Sequence, residues 1–242
     1  MNLLLPDATS ADERARATRI AVLPVGSFEQ HGAYLPLSTD TVVACLIAKR
    51  ISDAYGLFLL PPVTMPCSHE HAAFPGTVSI SATTLAAIVT DVYQSLQAAG
   101  IERLVIVNGH GGNYVLRNVV QQANTPNEYR LALFPTAEDW SGARQAAGCG
   151  SKSHEDMHAG ELEASLLLHA TPWLVRPGYE RSDQTADDRR DLLTLGMDAY
   201  TTTGVIGRPS LATADKGSAI LESLSAAFAR VMSVLDPEPS FE

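Results

Sequence analysis

Four short apolar runs, separated by polar loops and stretches of helical periodicity, constrain the fold of this chain most. The runs span residues 20–25, 57–63, 104–107 and 131–134. Helical spacing is found at residues 41–56, 81–100, 114–124, 158–172 and from about 213 onwards. Short runs bounded by glycine, proline and asparagine are typical of buried strands. Their alternation with helices predicts an α/β fold, with a mostly parallel central sheet covered by helices on both faces.

A single domain over residues 1–242 is predicted. No linker rich in proline, serine or charge divides the 242 residues, and this length suits one large core. The formal net charge of −10 argues against a nucleic-acid or anionic-membrane partner. Three cysteines lie far apart without CxxC spacing, which indicates neither a disulfide framework nor a thiolate zinc site.

Secretion and membrane insertion are not indicated by the sequence. The N-terminal stretch MNLLLPDATS lacks a basic region, and its apolar run stops at Pro6, unlike a secretory signal. We find no apolar run that approaches the roughly 20 residues needed to span a bilayer. We therefore expect a soluble, cytoplasmic protein.

Three side chains of metal-ligand type follow the first apolar run. Glu29 and His31 come just after the predicted strand, and Asp40 follows a turn rich in glycine, proline, serine and threonine. In open α/β sheets, ligands bind beyond the carboxyl ends of the strands. A spacing of two puts Glu29 and His31 on one side of an extended chain, and Asp40 is placed to return to them. Mixed nitrogen and oxygen donors suit a divalent ion.

Further candidate donors lie after the third run and in a later helix. His110 is in the segment NGHGGN, and His158 and Glu161 are three residues apart, which predicts one shared helix face. Such a donor set can hold two divalent ions that activate a water molecule and polarise a carbonyl group, as in amide hydrolysis. NGHGGN matches neither a Walker loop nor GxGxxG, and no GxSxG is present, so nucleotide binding and serine hydrolysis are disfavoured.

Two further segments are candidate parts of a substrate site. A long polar loop carries His69, Glu70 and His71, and long loops in compact domains are usually functional. His71 is interpreted as a substrate contact rather than a metal ligand. Residues 141–157 are interpreted as a loop or short lid, within which His154 lines the pocket.

Five motifs, in order along most of the chain, resemble the creatininase (creatinine amidohydrolase) family. They are LPVGSFEQHGAYLPLSTDT, SHEHAAFPGTVS, VNGHGGN, HAGELEAS and GVIGRPSLATADKG. The resemblance implies a three-layer α/β/α sandwich and a centre of two zinc, manganese or iron ions. It also implies hydrolysis of a C–N bond in an amide or lactam, and often a homohexamer.

The resemblance also assigns roles to individual residues. It makes Glu29, Asp40 and His110 the ligands of one ion, while His31 and the bridging Asp40 hold the other. It gives His158 the role of carrying a proton to the leaving nitrogen. Glu163 matches a family glutamate that lies behind the ligands in the same helix.

Several departures from the creatinine-hydrolysing members concern the second ion and the substrate. Gly112 stands where those members have a glutamate ligand, and we predict that Glu161 replaces it. Gly111 and His154 replace aromatic residues, so Trp140 is the remaining candidate for an aromatic wall. These differences favour a larger amide than creatinine.

The sequence leaves several activities open. A deformylase-like or deacetylase-like amidase of cofactor or secondary-metabolite biosynthesis is one interpretation. A second interpretation is a peptidase that trims a precursor peptide, and a third is a creatinine-type lactam hydrolase. A non-catalytic protein that binds a small amide, or that serves as a structural subunit, is the alternative outside the enzymes.

Overall fold

A four-stranded parallel sheet forms the centre of the protein. In the computed structural model, which describes residues 5–125 and 129–236, the strands are β1 (Ile20–Val25), β2 (Phe58–Leu59), β3 (Arg103–Asn108) and β4 (Leu131–Phe134). Their order is β2-β1-β3-β4, and all neighbouring pairs are parallel. Val25 is in register with Asn108, so the loops that leave β1 and β3 start side by side. The predicted parallel sheet is confirmed.

Helices cover both faces of this sheet. They are α1 (Ser10–Arg16), α2 (Thr39–Tyr55), α3 (Ala82–Ala98), α4 (Val115–Ala123), α5 (Ala137–Ala146), α6 (Glu161–Ala170), α7 (Leu192–Leu195) and α8 (Ala214–Leu235). Ile20 and Val22 of β1 join a core cluster with α2, α6 and α8. Ala21 and Leu23 join a second cluster with α3. Because successive strand side chains point to opposite faces, β1 is buried on both sides, as the α/β/α sandwich requires.

Helix α8 is the longest helix among the described residues. Its 22 residues are long and apolar enough to cross a membrane, contrary to the expectation from the sequence. The helix packs on α2, α5 and α6, and Ile220, Leu224 and Phe228 are part of the core. In this fold α8 is therefore a core helix.

The region before α6 differs from the sequence prediction. Residues up to Ala146 of the predicted loop continue helix α5, which begins with a capping box between Thr136 and Asp139. Helix α6 begins only at Glu161, because the Asp156 carboxylate accepts hydrogen bonds from the first two N–H groups of the helix. His158 lies before the helix, in a β-bridge with Ile206.

Some predictions fall partly outside the described residues. The stretch interpreted as lacking a secretory signal includes residues 1–4, which are not described. The single-domain prediction over residues 1–242 also includes residues 126–128 and 237–242, and it stays a prediction.

Candidate metal centre

The loop after β1 carries two buried donor side chains. Glu29 and His31 are both 0% exposed, and Asp40 joins them from the first turn of α2. The Ser27 hydroxyl donates to Asp40 Oδ2 at 2.7 Å, while His31 Nε2 lies 3.1 Å from Asp40 Oδ1. The predicted return of Asp40 to the pair Glu29 and His31 is thus present in the structure.

The tautomer of His31 is determined by its own loop. His31 Nδ1 lies 3.0 Å from the backbone carbonyl oxygen of Glu29, so this nitrogen donates its proton to that acceptor. Nε2 is therefore the atom that can bind a metal ion, an arrangement common for metal-binding histidines. Burial alone would lower the pKa of His31, but the nearby carboxylates of Asp40, Glu163 and Glu29 together outweigh this effect and raise it to about 9.

His110 reaches the same place from the loop after β3. His110 Nδ1 lies 3.0 Å from Asp40 Oδ2, and His110 Nε2 lies 3.3 Å from Glu29 Oε2. Asn113 supports this loop by donating to the Asn108 side chain and to the backbone carbonyl of Gly26, at 2.9 and 3.0 Å. The two asparagines of NGHGGN therefore join the loops that leave β1 and β3.

The donor atoms form overlapping clusters suited to metal ions. One contains Glu29, Asp40 and His110, and another contains His31, Asp40 and Glu163; within each, the donor atoms lie within 4.8 Å of one another. Asp40 is common to both, as the resemblance implied for a bridging carboxylate. A third group combines Glu29 and His31 with His158. Buried carboxylates and imidazoles in these arrangements suit two neighbouring divalent ions.

Unpaired buried atoms show that these residues fit a cation. Among the described residues, both carboxylate oxygens of Glu29 and the Nε2 atom of His110 are buried without a hydrogen-bond partner. Burial raises the pKa of Glu29 to about 8. A buried carboxylate without hydrogen bonds is unfavourable unless a cation or a proton neutralises it. A divalent ion between Glu29 and His110 would satisfy all three atoms.

His158 lies beside the clusters in a defined tautomer. Its Nε2 is 2.7 Å from the backbone carbonyl oxygen of Gln30, so Nε2 carries the proton and donates it. Burial, together with the neighbouring His31 and His71, holds the pKa of His158 well below its usual value. The imidazole is therefore neutral, and its Nδ1 atom, 3.7 Å from Glu29 Oε1, is free to accept a proton.

Glu161 does not lie in the predicted place. Its carboxylate accepts from the backbone N–H groups of Gly150 and Ser151 at 2.9 and 2.8 Å, and it pairs with Lys216 Nζ at 2.5 Å. The prediction of Glu161 as a metal ligand is thus wrong, because both oxygens are already bound and His158 does not share its helix face. Glu163 lies nearer to the candidate ligands, with Oε2 3.9 Å from His31 Nε2.

The Glu163 carboxylate is held by the residues just before α6. It accepts a hydrogen bond from the backbone N–H of Ala159 at 2.7 Å, and burial raises its pKa to about 7. The family resemblance implies a position behind the ligands for Glu163, whereas in the structure its carboxylate lies in the cluster with His31 and Asp40.

Residues 6–232 match the sequence model of the creatininase (creatinine amidohydrolase) family. The chain belongs to the creatininase family. The mycofactocin precursor peptide peptidase of Mycobacterium ulcerans is 35% identical over 230 residues, which cover 89% of this chain and 86% of that protein. The creatinine amidohydrolase of Pseudomonas putida is 27% identical over 171 residues, or 64% of this chain and 66% of that protein. A solved creatininase structure, 23% identical, superposes with a TM-score of 0.81 and covers 96% of both chains.

Membership in the creatininase family confirms the resemblance and the α/β/α fold. It also makes the chain an amidohydrolase, an enzyme that hydrolyses carbon–nitrogen bonds. The metal clusters described above agree with a metal-dependent activity. The interpretation of the chain as a non-catalytic protein is therefore set aside.

Two adjoining cavities open on the centre of this creatininase-family enzyme. A cavity of about 680 Å³ is lined by Trp140, His158 and Glu163, among others. A second, of about 470 Å³, shares His158 and Glu163 and is also lined by His71 and His154. The side chains predicted to contact substrate therefore all lie on cavity walls, and their roles stay predictions.

His71 is closer to the metal centre than the sequence indicated. Its Nε2 lies 3.2 Å from Glu29 Oε1, and its Nδ1 lies 2.9 Å from the Gln30 side-chain nitrogen. Burial, with a smaller contribution from His110, lowers the pKa of His71 to about 3. His71 is thus a neutral, buried neighbour of Glu29. His154, by contrast, is exposed and bound to the Asp187 backbone at 2.7 Å.

Glu70 contacts His110, which the sequence did not indicate. Its Oε1 lies 3.3 Å from His110 Nε2, on the wall of the smaller cavity. The only available signal was its position between two histidines in a long polar loop, and nothing in that pattern indicates a contact with His110.

Proposed function

We propose that this creatininase-family enzyme hydrolyses an amide bond of a peptide at a centre of two divalent metal ions. The observation that carries the proposal is the pair of buried donor clusters that share Asp40, together with the unpaired oxygens of Glu29. Glu29, Asp40 and His110 would hold one ion, and His31, Asp40 and Glu163 the other. Zinc, manganese and iron are the candidate metals. When bound, the ions supply an activated water molecule and polarise the scissile carbonyl.

The proton transfers are assigned to His158. Its Nε2–H is committed to the carbonyl of Gln30, so Nδ1 is the atom that accepts a proton from the attacking water. The same atom then returns this proton to the departing nitrogen, as a general acid. A neutral imidazole is needed for the first step, and burial keeps His158 neutral.

A peptide substrate is favoured by two observations. The larger cavity, of about 680 Å³, falls in the range of sites that hold molecules of drug size. The highest sequence identity reported above, 35%, is to a mycofactocin precursor peptide peptidase. A small formamide or acetamide and a creatinine-type lactam are the competing substrates, with the lactam favoured by the likeness to creatinine amidohydrolase.

Two further properties belong to this proposal. The family resemblance supports a homo-oligomer, and specifically a hexamer, which sedimentation would test. A cytoplasmic location is also part of the proposal, and the free thiols of Cys45, Cys67 and Cys149 agree with a reducing compartment.

A substrate panel tests the proposed activity. Metal-free protein would be loaded with zinc, manganese or iron and incubated with the mycofactocin precursor peptide, unrelated short peptides, N-formyl and N-acetyl compounds, and creatinine. Mass spectrometry is expected to detect cleavage of the precursor peptide by the loaded wild type but not by Glu29→Gln. Cleavage of creatinine or a formamide alone would overturn the peptide assignment, and activity that is unchanged without metal would overturn the metal centre.

A further inference from the structure

Glu70 occupies the space that a side chain at position 112 would need. A Cβ atom added to Gly112 would overlap both the Oε1 atom of Glu70 and the Nε2 atom of His110. Gly112 does not have a positive φ, so its backbone conformation permits other residues. The glycine is therefore required here by the nearby carboxylate and imidazole, and not by the shape of the loop.

The Glu70 carboxylate also faces the unpaired atom of His110. Glu70 Oε1 and Glu29 Oε2 both lie 3.3 Å from His110 Nε2, and this nitrogen has no hydrogen-bond partner among the described residues. The Glu70 side chain is only 13% exposed and lines the same cavity as Asp40 and Glu163. Two carboxylates thus lie at the same distance from one buried nitrogen.

The surrounding charge adds a second argument. Glu29, Asp40, Glu70 and Glu163 are four acidic side chains in one buried region. Within residues 5–125 and 129–236, their ion pairs are all with histidines. Like charges at this range repel strongly in a region of low dielectric constant, so the four acidic groups need either protons or bound cations to balance them. Bound cations would take the place of those protons.

We infer that Glu70 is a ligand of the metal centre, whose carboxylate enters through the space left by Gly112 and binds the ion held by His110. This inference rests on the proposed two-metal centre. Glu70 then adds a carboxylate from the loop after β2 to the ion held by His110, while Glu163 belongs to the cluster of the other ion. A glutamate at position 112 and a glutamate at position 70 are mutually exclusive in this arrangement, because they require the same volume.

Four variants test the assignment by metal affinity. Glu70→Gln removes the charge, and Glu70→Ala removes the side chain. Gly112→Ala introduces a Cβ atom that would overlap both the Glu70 carboxylate and the His110 ring. Gly111→Ala is the matched control, since a Cβ atom there meets nothing within 4 Å.

Metal binding would be measured by competition with a chelator, by elemental analysis and by the absorption spectrum of the cobalt-loaded protein. Loss of a residue that only supports a ligand costs about 10- to 100-fold in metal affinity. The three single variants at positions 70 and 112 are therefore expected to lose more than about 100-fold at one ion. The cobalt spectrum of Glu70→Gln should change as well, because the ion loses an oxygen ligand, and Gly111→Ala should match the wild type.

The outcomes separate failure of the inference from failure of the proposed function. Two ions bound with unchanged affinity in Glu70→Gln would overturn the inference. Weaker binding in Glu70→Gln with a wild-type cobalt spectrum would also overturn it, and would leave Glu70 as a residue that positions His110. A wild-type protein that binds no metal would instead overturn the proposed centre itself. Circular dichroism of each metal-free variant checks that it is folded.

Discussion

His158 donates its Nε2–H to the backbone carbonyl oxygen of Gln30 across 2.7 Å. Gln30 lies between Glu29 and His31, so the loop that carries two metal-ligand candidates also orients the proton carrier. The hydrogen bond leaves Nδ1 of His158 directed at the Glu29 carboxylate. A backbone carbonyl holds this tautomer irrespective of which side chain occupies position 30.

Replacement of His158 by alanine should remove catalysis but not metal binding. General acid–base groups contribute about 10²- to 10⁴-fold to rate, so we expect kcat to fall by at least about 100-fold. Elemental analysis should still find both ions. His169→Ala, an exposed histidine at the end of α6, serves as the control and should have wild-type kcat. Loss of one ion in His158→Ala would instead make His158 a ligand, as its grouping with Glu29 and His31 allows.

Glu163 and Glu161 should respond differently to the same substitution. Glu163→Gln removes a charge from the cluster with His31 and Asp40, so it should weaken one ion. Glu161→Gln should keep both ions at wild-type affinity, because the Glu161 carboxylate is bound to Lys216, Gly150 and Ser151. Metal stoichiometry after dialysis measures both effects. Equal metal loss in the two variants would contradict this distinction.

The ion pair between Lys216 and Glu161 should stabilise the fold. It joins α8 to the start of α6, with the Glu161 side chain 0% exposed. Removal of one partner of a buried pair leaves the other charge uncompensated, at a cost of about 3 kcal/mol, so Lys216→Met should lower the free energy of unfolding by about this amount. Lys49→Met breaks an exposed pair with Asp53 and should cost less than about 0.5 kcal/mol. Urea denaturation compares the two, and equal losses would contradict the prediction.

Two glycine-to-alanine substitutions should have opposite effects. A Cβ atom at Gly160 would overlap the Asp156 carboxylate, which caps α6 and binds Arg144 at 2.8 Å. Gly160→Ala should therefore lower the free energy of unfolding by about 2 kcal/mol. Gly142 lies within α5, and a Cβ atom there meets nothing within 4 Å, so Gly142→Ala should raise it by roughly 0.5–1 kcal/mol. Thermal unfolding of both variants checks the two signs.

Glu29→Gln should stabilise the metal-free protein while it reduces stabilisation by metal. Burial raises the pKa of Glu29 from 4.5 to about 8, so the folded state favours the protonated, neutral form of this side chain. The resulting penalty grows as the pH rises from 4.5 to about 8 and is then constant, and glutamine removes it. The melting temperature of metal-free Glu29→Gln should thus exceed that of the wild type more at pH 8.5 than at pH 5.

Added metal should stabilise the wild type more than Glu29→Gln. At 100 times its dissociation constant, an ion should stabilise the wild type by about 2.7 kcal/mol per site, and Glu29→Gln should show a much smaller gain. A metal-free variant less stable than the wild type at pH 8.5 would contradict the argument for an uncompensated Glu29 carboxylate.

Much of the site was predictable because its donors follow strand ends. Glu29, His31 and His110 come directly after β1 and β3, and parallel neighbouring strands bring their carboxyl ends together. Asp40 was predictable as well, since it is close in sequence to the first pair. The five ordered motifs further indicated the family, which the family model confirmed.

Glu161 and Glu163 show where such prediction stops. Helical spacing was extended back to His158, but the Asp156 cap starts α6 at Glu161. A helix that began at His158 would place Glu161 on the same face as His158. Because α6 begins at Glu161, that predicted face does not form, and Glu163 lies in the cluster instead. The partner that removes Glu161 from the site, Lys216, lies far along the chain on α8.

The sequence by itself determined the alternation of strands and helices, the loops that carry the donors and the family of the enzyme. These properties follow from local hydrophobic periodicity and from residues close together in the chain. Only the tertiary structure decided that Glu163 joins His31, that Lys216 binds Glu161, and that Glu70 fills the space beside Gly112. Each of these contacts depends on how separate elements pack, because packing sets which side chains share a volume and which buried charges find a partner.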